Sequence, residues 1–255
     1  MAVPEVARAD ARRQTLFFAG SALVLGAIVA IGFSRSFYLR SAMGTVGPNL
    51  PSYLVMHGIT LTTWYLILIA QTLLVVTGRR GLHRQLGTAG VVVAVAVVVT
   101  SLIVMRSVVA ARVAVDGAEV PAGLAFVIVS DFWLLIAFSL LVVAAVHWRR
   151  RPETHKRLML IASAFLVGPA FSVTRPVGQA LVPFLPNGLL PSRVFVVLAL
   201  AALIGYDLRT RKRIESATLA GAAVVAVALV LTRLMSLGDT GPAFARWLAG
   251  LPAGE

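Results

Sequence analysis

Seven long apolar runs alternate with short polar connections along the 255-residue chain. Each run is close to the ~20 residues that a helix needs to cross about 30 Å of hydrocarbon, and the runs are too long and too uniformly apolar for barrel strands. The pattern predicts an all-α integral membrane helical bundle, with a single membrane domain over residues 1–255 and seven transmembrane helices. The predicted spans are 15–34, 53–77, 88–110, 123–146, 157–181, 190–207 and 217–235.

Basic residues are concentrated at alternate ends of these spans. Fifteen of the 23 Lys and Arg residues form four clusters, and the other connections carry only pairs. The clusters are Arg8, Arg12 and Arg13; Arg79, Arg80 and Arg84; Arg149, Arg150, Arg151, Lys156 and Arg157; and Arg209, Arg211, Lys212 and Arg213. Because positive residues near span ends are retained in the cytoplasm, this predicts a cytoplasmic N-terminus and an outside C-terminus in a bacterial inner (cytoplasmic) membrane. Anionic lipid headgroups at the cytoplasmic face are the expected partners.

Composition narrows the class of protein further. The chain is 59% hydrophobic and 13% charged, whereas soluble proteins average about 45–50% and about 25%. The net charge of +13 does not predict a nucleic-acid partner, because the basic groups flank spans and do not form one groove-sized patch. The chain has no cysteine, which excludes disulfides, Cys-ligated zinc and iron–sulfur clusters.

Polar residues within the second span share one helical face. At 100° per residue, His57, Thr60, Trp64 and Gln71 form a stripe that we expect to face the bundle interior, where hydrogen-bond partners exist. One interpretation is that the stripe only holds neighbouring helices together. The other is that His57 serves as a ligand, since imidazole is costly to bury for packing alone.

Asp131 is the only acid placed well inside a predicted span, in the same outer half of the membrane as His57. A carboxylate there needs a partner, and the candidates are His57, Arg106 and Arg175. Ser172 lies on the same face as Arg175. Two interpretations stay open: a structural Asp–Arg pair that locks two helices, or a polar pocket that binds a headgroup, quinone or cofactor.

The other three histidines, His83, His147 and His155, lie at the cytoplasmic ends of spans. They are either interfacial residues among basic neighbours or, for two of them, ligands of a haem or metal across the bundle. The surrounding positive charge disfavours a bare divalent cation, so no metal-ion site is predicted, and it suits a cofactor that carries propionates. We predict that His83 and His155 approach one another, whereas His57 lies about a membrane thickness from His83.

Several of these residues belong to a motif that resembles a known group of proteins. The motif consists of His57-Gly58, Trp64, Gln71, the segment Gly78–Gly87, the segment His155–Met159 and Arg175. Over residues 50–180 it resembles a group of uncharacterised bacterial multi-spanning membrane proteins, which is distantly similar to transmembrane di-haem b-type cytochromes of the ascorbate-reductase type. The resemblance implies that His83 and His155 are inner ligands of haem b and His57 an outer ligand. The outer half has one histidine, so a bis-histidine outer haem cannot form from this chain.

The sequence therefore predicts an inner-membrane protein with a polar site in the outer half, haem- or quinone-binding and redox-associated. The alternative is a non-catalytic accessory or assembly subunit that packs against other subunits of a larger respiratory or photosynthetic complex. A retinal protein is excluded, because the only lysines, Lys156 and Lys212, lie at the cytoplasmic surface. No catalytic residue is assigned, and whether the protein is an enzyme stays open.

Overall fold

The computed structural model describes residues 5–43, 49–116, 119–172, 175–186 and 190–251, and within these ranges it is helical without strands. Six of the described helices are long and apolar enough to cross a membrane, which confirms an all-α membrane bundle. The helices are α1 Glu5–Gly32, α2 Arg40–Met43, α3 Ser52–Val76, α4 Arg80–Asp116, α5 Ala122–His147, α6 Pro152–Leu166, α7 Pro176–Leu181, α8 Pro191–Arg211, α9 Ser216–Met235 and α10 Thr240–Ala249. A π-helical turn covers Ser34–Tyr38, and 3₁₀ turns cover Gly168–Phe171 and Val182–Phe184. The six candidate spans lie in α1, α3, α4, α5, α8 and α9.

Proline and positive-φ residues fix many of the helix ends. α3 and α5 begin directly after Pro51 and Pro121, where the missing N–H costs no intrahelical hydrogen bond. Lys212, directly after α8, has a φ of 57°, and Gly250, directly after α10, has a φ of 70°. These left-handed residues stop the helical hydrogen-bond pattern.

The fifth predicted span, 157–181, is not a continuous helix, and the break lies at the two prolines of this segment. α6 ends at Leu166, a 3₁₀ turn follows, and α7 begins only at Pro176. Pro169 and Pro176 cannot donate backbone hydrogen bonds, and each disfavours helical backbone at the residue before it. The broken segment still runs along the bundle: Arg157 contacts Asp207 near the end of α8, and Phe171 stacks on Phe195 near the start of α8.

The starts and ends of the helices define two ends of the bundle. We use "basic end" for the end at which α4, α6 and α9 begin and α3, α5 and α8 end, and "far end" for the opposite one. α3 packs against α1 and α4, α5 packs against α6 and α9, and α10 lies across α4 and α5. In the interior, Trp64 meets Phe138 edge to face with ring centres 5.1 Å apart, and the Tyr65 hydroxyl donates to the Ser163 carbonyl at 2.9 Å.

α4 begins earlier than predicted, and this positions a candidate site residue. It has 37 residues, so it is about 55 Å long and extends well beyond the predicted span 88–110. Its first turn carries His83. The extension therefore places His83 on a rigid helix beside the last turns of α3.

Candidate functional site

Two histidines meet at the basic end, as the sequence predicted. The rings of His83, on α4, and His155, in the first turn of α6, have centres 6.4 Å apart and nearly perpendicular planes, at 89°. Both side chains are half-buried. Two imidazoles at this separation from different helices form a potential ligand pair.

Backbone carbonyls hold both rings by the same nitrogen. His155 Nδ1 lies 2.9 Å from the carbonyl oxygen of Ala145 on α5, and His83 Nδ1 lies 3.4 Å from that of Gln71 on α3. An Nδ1–H that donates to a carbonyl fixes the tautomer and leaves the lone pair on Nε2. A carbonyl at Nδ1 is typical of histidines that ligate metals through Nε2.

Three buried polar atoms near the axis of the bundle have no hydrogen-bond partner within the described residues. They are Trp64 Nε1 and Gln71 Oε1 on α3 and Ser163 Oγ on α6. Most buried polar atoms in proteins have a protein or water partner. Trp64 and Gln71 belong to the predicted polar stripe, and Ser163 was missed because an isolated Ser in an apolar span carries no sequence signal. The three atoms offer donors and acceptors to water or a ligand.

His57 lies in the other half, on the face of α3 that meets α4. Its Nδ1 is 3.2 Å from Oγ1 of the buried Thr100, a partner that the sequence did not predict, and the Thr100 hydroxyl donates to the Ala96 carbonyl. Thr100 Oγ1 can therefore accept a hydrogen bond from an Nδ1–H of His57 while its own proton is donated to Ala96. His57 lies near the start of α3 at the far end, whereas His83 lies in the first turn of α4 at the basic end, so the two histidines lie at different depths.

Helical register places Asp131 at the level of His57. Each lies seven residues before one partner of the Trp64–Phe138 contact, and both helices run in the same direction from the far end. Seven residues are about 10 Å and two turns. Asp131 makes no ion pair or hydrogen bond in the part of the chain that the structure describes.

The rest of the predicted outer pocket does not gather around Asp131. Arg175 donates to the Ser36 hydroxyl, and its guanidinium lies 4.5 Å from the ring centre of Phe33. Arg106 is exposed, and its guanidinium lies beside Gly250, directly after α10. Ser172 is exposed as well. Of the two interpretations, the Asp131–Arg pair does not occur among the described residues, because Arg175 is held by Phe33 and Ser36 in the turn that follows α1.

The charged pair that locks helices is instead at the basic end, and sequence reasoning missed it. Arg157 on α6 and Asp207 on α8 both have 0% exposure. Arg157 donates to Asp207 Oδ1 from Nε at 2.9 Å and from Nη2 at 2.6 Å. Asp207 Oδ2 accepts from Thr218 Oγ1 at 2.5 Å and from the Glu215 backbone N–H at 3.1 Å. The network joins α6, α8 and the start of α9.

Glu153 extends this network towards the surface. Its carboxylate accepts from Arg157 Nη1 at 2.7 Å and Lys156 Nζ at 2.8 Å, and Arg211 Nη2 lies 2.8 Å away. Partial burial alone would raise the pKa of Glu153, but the hydrogen bonds from Lys156, Arg157 and Arg211 lower the pKa to about 2. One sequence feature could have indicated this network: Asp207 is an isolated acid between an apolar run and four basic residues.

No protein-family model matches the chain, and no curated protein and no solved structure matches it either.

Proposed function

We propose that the protein crosses a bacterial cytoplasmic membrane seven times, with the basic end in the cytoplasm. The six long helices supply six crossings, and the broken segment from α6 to the 3₁₀ turn at Val182–Phe184 supplies the seventh. Non-helical backbone at membrane depth is tolerated where it is buried in protein, and Ala170 and Phe171 in the break are buried. The basic clusters give the orientation, with the N-terminus inside and the C-terminus outside.

We further propose that this chain binds haem b between His83 and His155 and serves in electron transfer. The observation that carries the proposal is the geometry of the pair. The two rings come from different helices, their centres lie 6.4 Å apart, and each Nδ1 faces a backbone carbonyl. Both Nε2 atoms are therefore available and would hold the iron of a haem.

The number of available ligands favours a porphyrin over a protein-ligated ion. No group of three or more His, Asp or Glu side chains that could hold a metal occurs within the described residues. A structural ion in an all-protein site usually takes four ligands, whereas a haem iron needs only axial ones from the chain. The unpartnered Gln71 Oε1 near His83 supports a ligand at this position.

The chain's own residues would hold and orient this group. The carbonyls of Gln71 and Ala145 would fix the two imidazoles, and the exposed Arg79, Arg80 and Arg84 would offer cations to propionates. Bound haem would supply one-electron chemistry, with a potential set by its axial ligands and by burial.

Absorption spectra of the purified and haem-reconstituted protein test the proposal. Wild-type protein is expected to show a Soret band and a reduced-minus-oxidised difference spectrum at one haem per chain. His83→Ala and His155→Ala should each abolish the low-spin spectrum. His147→Ala is the matched control, because His147 is exposed at the same end and should keep the wild-type spectrum.

Equal spectra for His83→Ala, His155→Ala and His147→Ala would overturn this haem site. A colourless protein that cannot be reconstituted and that is recovered with a larger respiratory or photosynthetic complex would favour the accessory-subunit function instead.

A further inference from the structure

An apolar groove of about 420 Å³ runs between α1, α6 and α8. Its volume lies within the range of about 300–1,000 Å³ that is usual for ligand pockets. Along α1 it extends from Leu16 to Leu25, about 14 Å of helix. Ser21 also lines it, but its hydroxyl already donates to the Phe17 carbonyl at 2.9 Å. The groove therefore presents an elongated apolar wall without a free polar group on Ser21.

The groove approaches the basic end through Phe17, where polar groups begin. The Phe17 ring stacks on Tyr206 at 4.3 Å between ring centres. Tyr206 is 8% exposed, and its hydroxyl has no hydrogen-bond partner among the described residues. Lys156 Nζ lies 4.8 Å from the ring centre of Phe18 and 6.0 Å from that of Tyr206. An ammonium group and an unpartnered hydroxyl thus lie beside one end of the groove.

The charges around this end favour an anion. The network contains the cations Lys156, Arg157 and Arg211 but only the carboxylates Glu153 and Asp207, which leaves one excess positive charge. Lys156 is 23% exposed and uses one of its three N–H donors on Glu153. A negatively charged headgroup is attracted to such a site, at about 1 kcal/mol per basic residue near a membrane surface.

We propose that the groove binds one acyl chain of an anionic phospholipid from the leaflet at the basic end. The acyl chain lies along the apolar wall, and the phosphate lies beside Lys156 and the Tyr206 hydroxyl. Neither His83 nor His155 lines the groove, and lipid binding is measured without haem, so this test can fail or succeed independently of haem binding.

Native mass spectrometry of the delipidated full-length protein tests the site, with phosphatidylglycerol and phosphatidylcholine as probes. Wild type should bind one phosphatidylglycerol per chain, about fivefold more tightly than phosphatidylcholine. Gly20→Phe fills the groove, since no atom lies within 4 Å of a Cβ added at Gly20, and it should weaken binding of both lipids at least about tenfold. Gly205→Phe is the matched control, because a Cβ at Gly205 also meets nothing within 4 Å and Gly205 does not line the groove.

The headgroup is tested by a second pair of variants. Lys156→Gln should remove the preference for phosphatidylglycerol, and Lys212→Gln, an exposed lysine at the same end, should keep it. If Gly20→Phe does not fold, Ala199→Phe blocks the groove from α8. Equal binding of the two lipids by wild type, or wild-type binding by a folded groove variant, would refute the proposal. An isoprenoid quinone that co-purifies with wild type and is lost in Gly20→Phe, with no bound phosphatidylglycerol, would identify another occupant and also overturn it.

Discussion

Replacing Asp207 with alanine removes the acceptor of four hydrogen bonds in the interior of the basic end. Two come from Arg157, one from the Thr218 hydroxyl and one from the Glu215 backbone N–H. Arg157 is completely buried, so its charge cannot turn to water when the partner is lost. Asp207→Ala therefore leaves a buried guanidinium with only Glu153 to compensate it.

The expected loss follows from this geometry. Removing one partner of a buried ion pair typically costs about 3–5 kcal/mol, against about 0–1 kcal/mol for an exposed pair. Arg157 Nη1 keeps two hydrogen bonds to Glu153, at 2.7 Å to the carboxylate and 2.8 Å to the carbonyl. We therefore expect Asp207→Ala to lower the free energy of unfolding by about 3 kcal/mol, at the lower end of the range.

Unfolding by SDS in mixed micelles, followed by tryptophan fluorescence, measures this loss. Arg157→Met/Asp207→Ala should be more stable than the two single losses predict when added, with a coupling energy of about 2 kcal/mol. Glu119→Ala is the control, because Glu119 is exposed and forms no ion pair within the described residues. A loss below about 1 kcal/mol for Asp207→Ala would refute the reasoning, because it would show that the pair is solvated.

Three further predictions concern other positions. Gly32→Ala should lower the melting temperature, because a Cβ at position 32 would lie 2.6 Å from Ala170 Cβ and 2.9 Å from the Ala170 carbonyl oxygen. Gly20→Ala is the control: its Cβ meets no atom within 4 Å, so it should be neutral or stabilising. Equal melting temperatures of the two variants would contradict this prediction. Because the pKa of Glu153 is lowered to about 2, its contribution to stability should be present above pH 4.5 and be lost as the pH falls towards 2. In an acid titration of stability, Glu153→Gln should therefore lose less stability than wild type between pH 4.5 and 2. The same loss in both proteins would argue against the ion pairs. Asp131→Asn should leave stability unchanged or raise it, since no ion pair is lost in the described structure, and a destabilisation as large as that of Asp207→Ala would show a partner.

Much of the fold could be predicted from hydropathy alone. The predicted span 53–77 corresponds to α3, Ser52–Val76, and 217–235 corresponds to α9, Ser216–Met235. Hydropathy works here because lipid leaves a long apolar segment little choice other than a helix. Hydropathy alone does not give the break within 157–181, which the prolines indicate and where the backbone packs against α1 and α8.

The site was only partly predictable, for a different physical reason. His83 and His155 could be paired because both sit at span ends on the same side, and end positions follow from topology. Asp131 and Arg175 were both predicted in the outer half but form no ion pair, since depth does not determine which neighbour a helix face meets. Conversely, Asp207 is the last residue of its predicted span, and only its contacts with Arg157 and Thr218 show that it is interior.

The first turn of α6 connects the histidine pair to the charged network. His155 and Arg157 are two residues apart, so their side chains leave the helix about 200° apart. His155 accordingly contacts α5 and faces His83 on α4, while Arg157 reaches Asp207 on α8 from the opposite side. A rotation of α6 that relaxed one contact would break the other, so the Arg157–Asp207 pair helps to hold the His155 ring in place. For this reason, a spectral change in an Arg157 variant would report a displaced His155 ring, and only the two histidine variants test ligation directly.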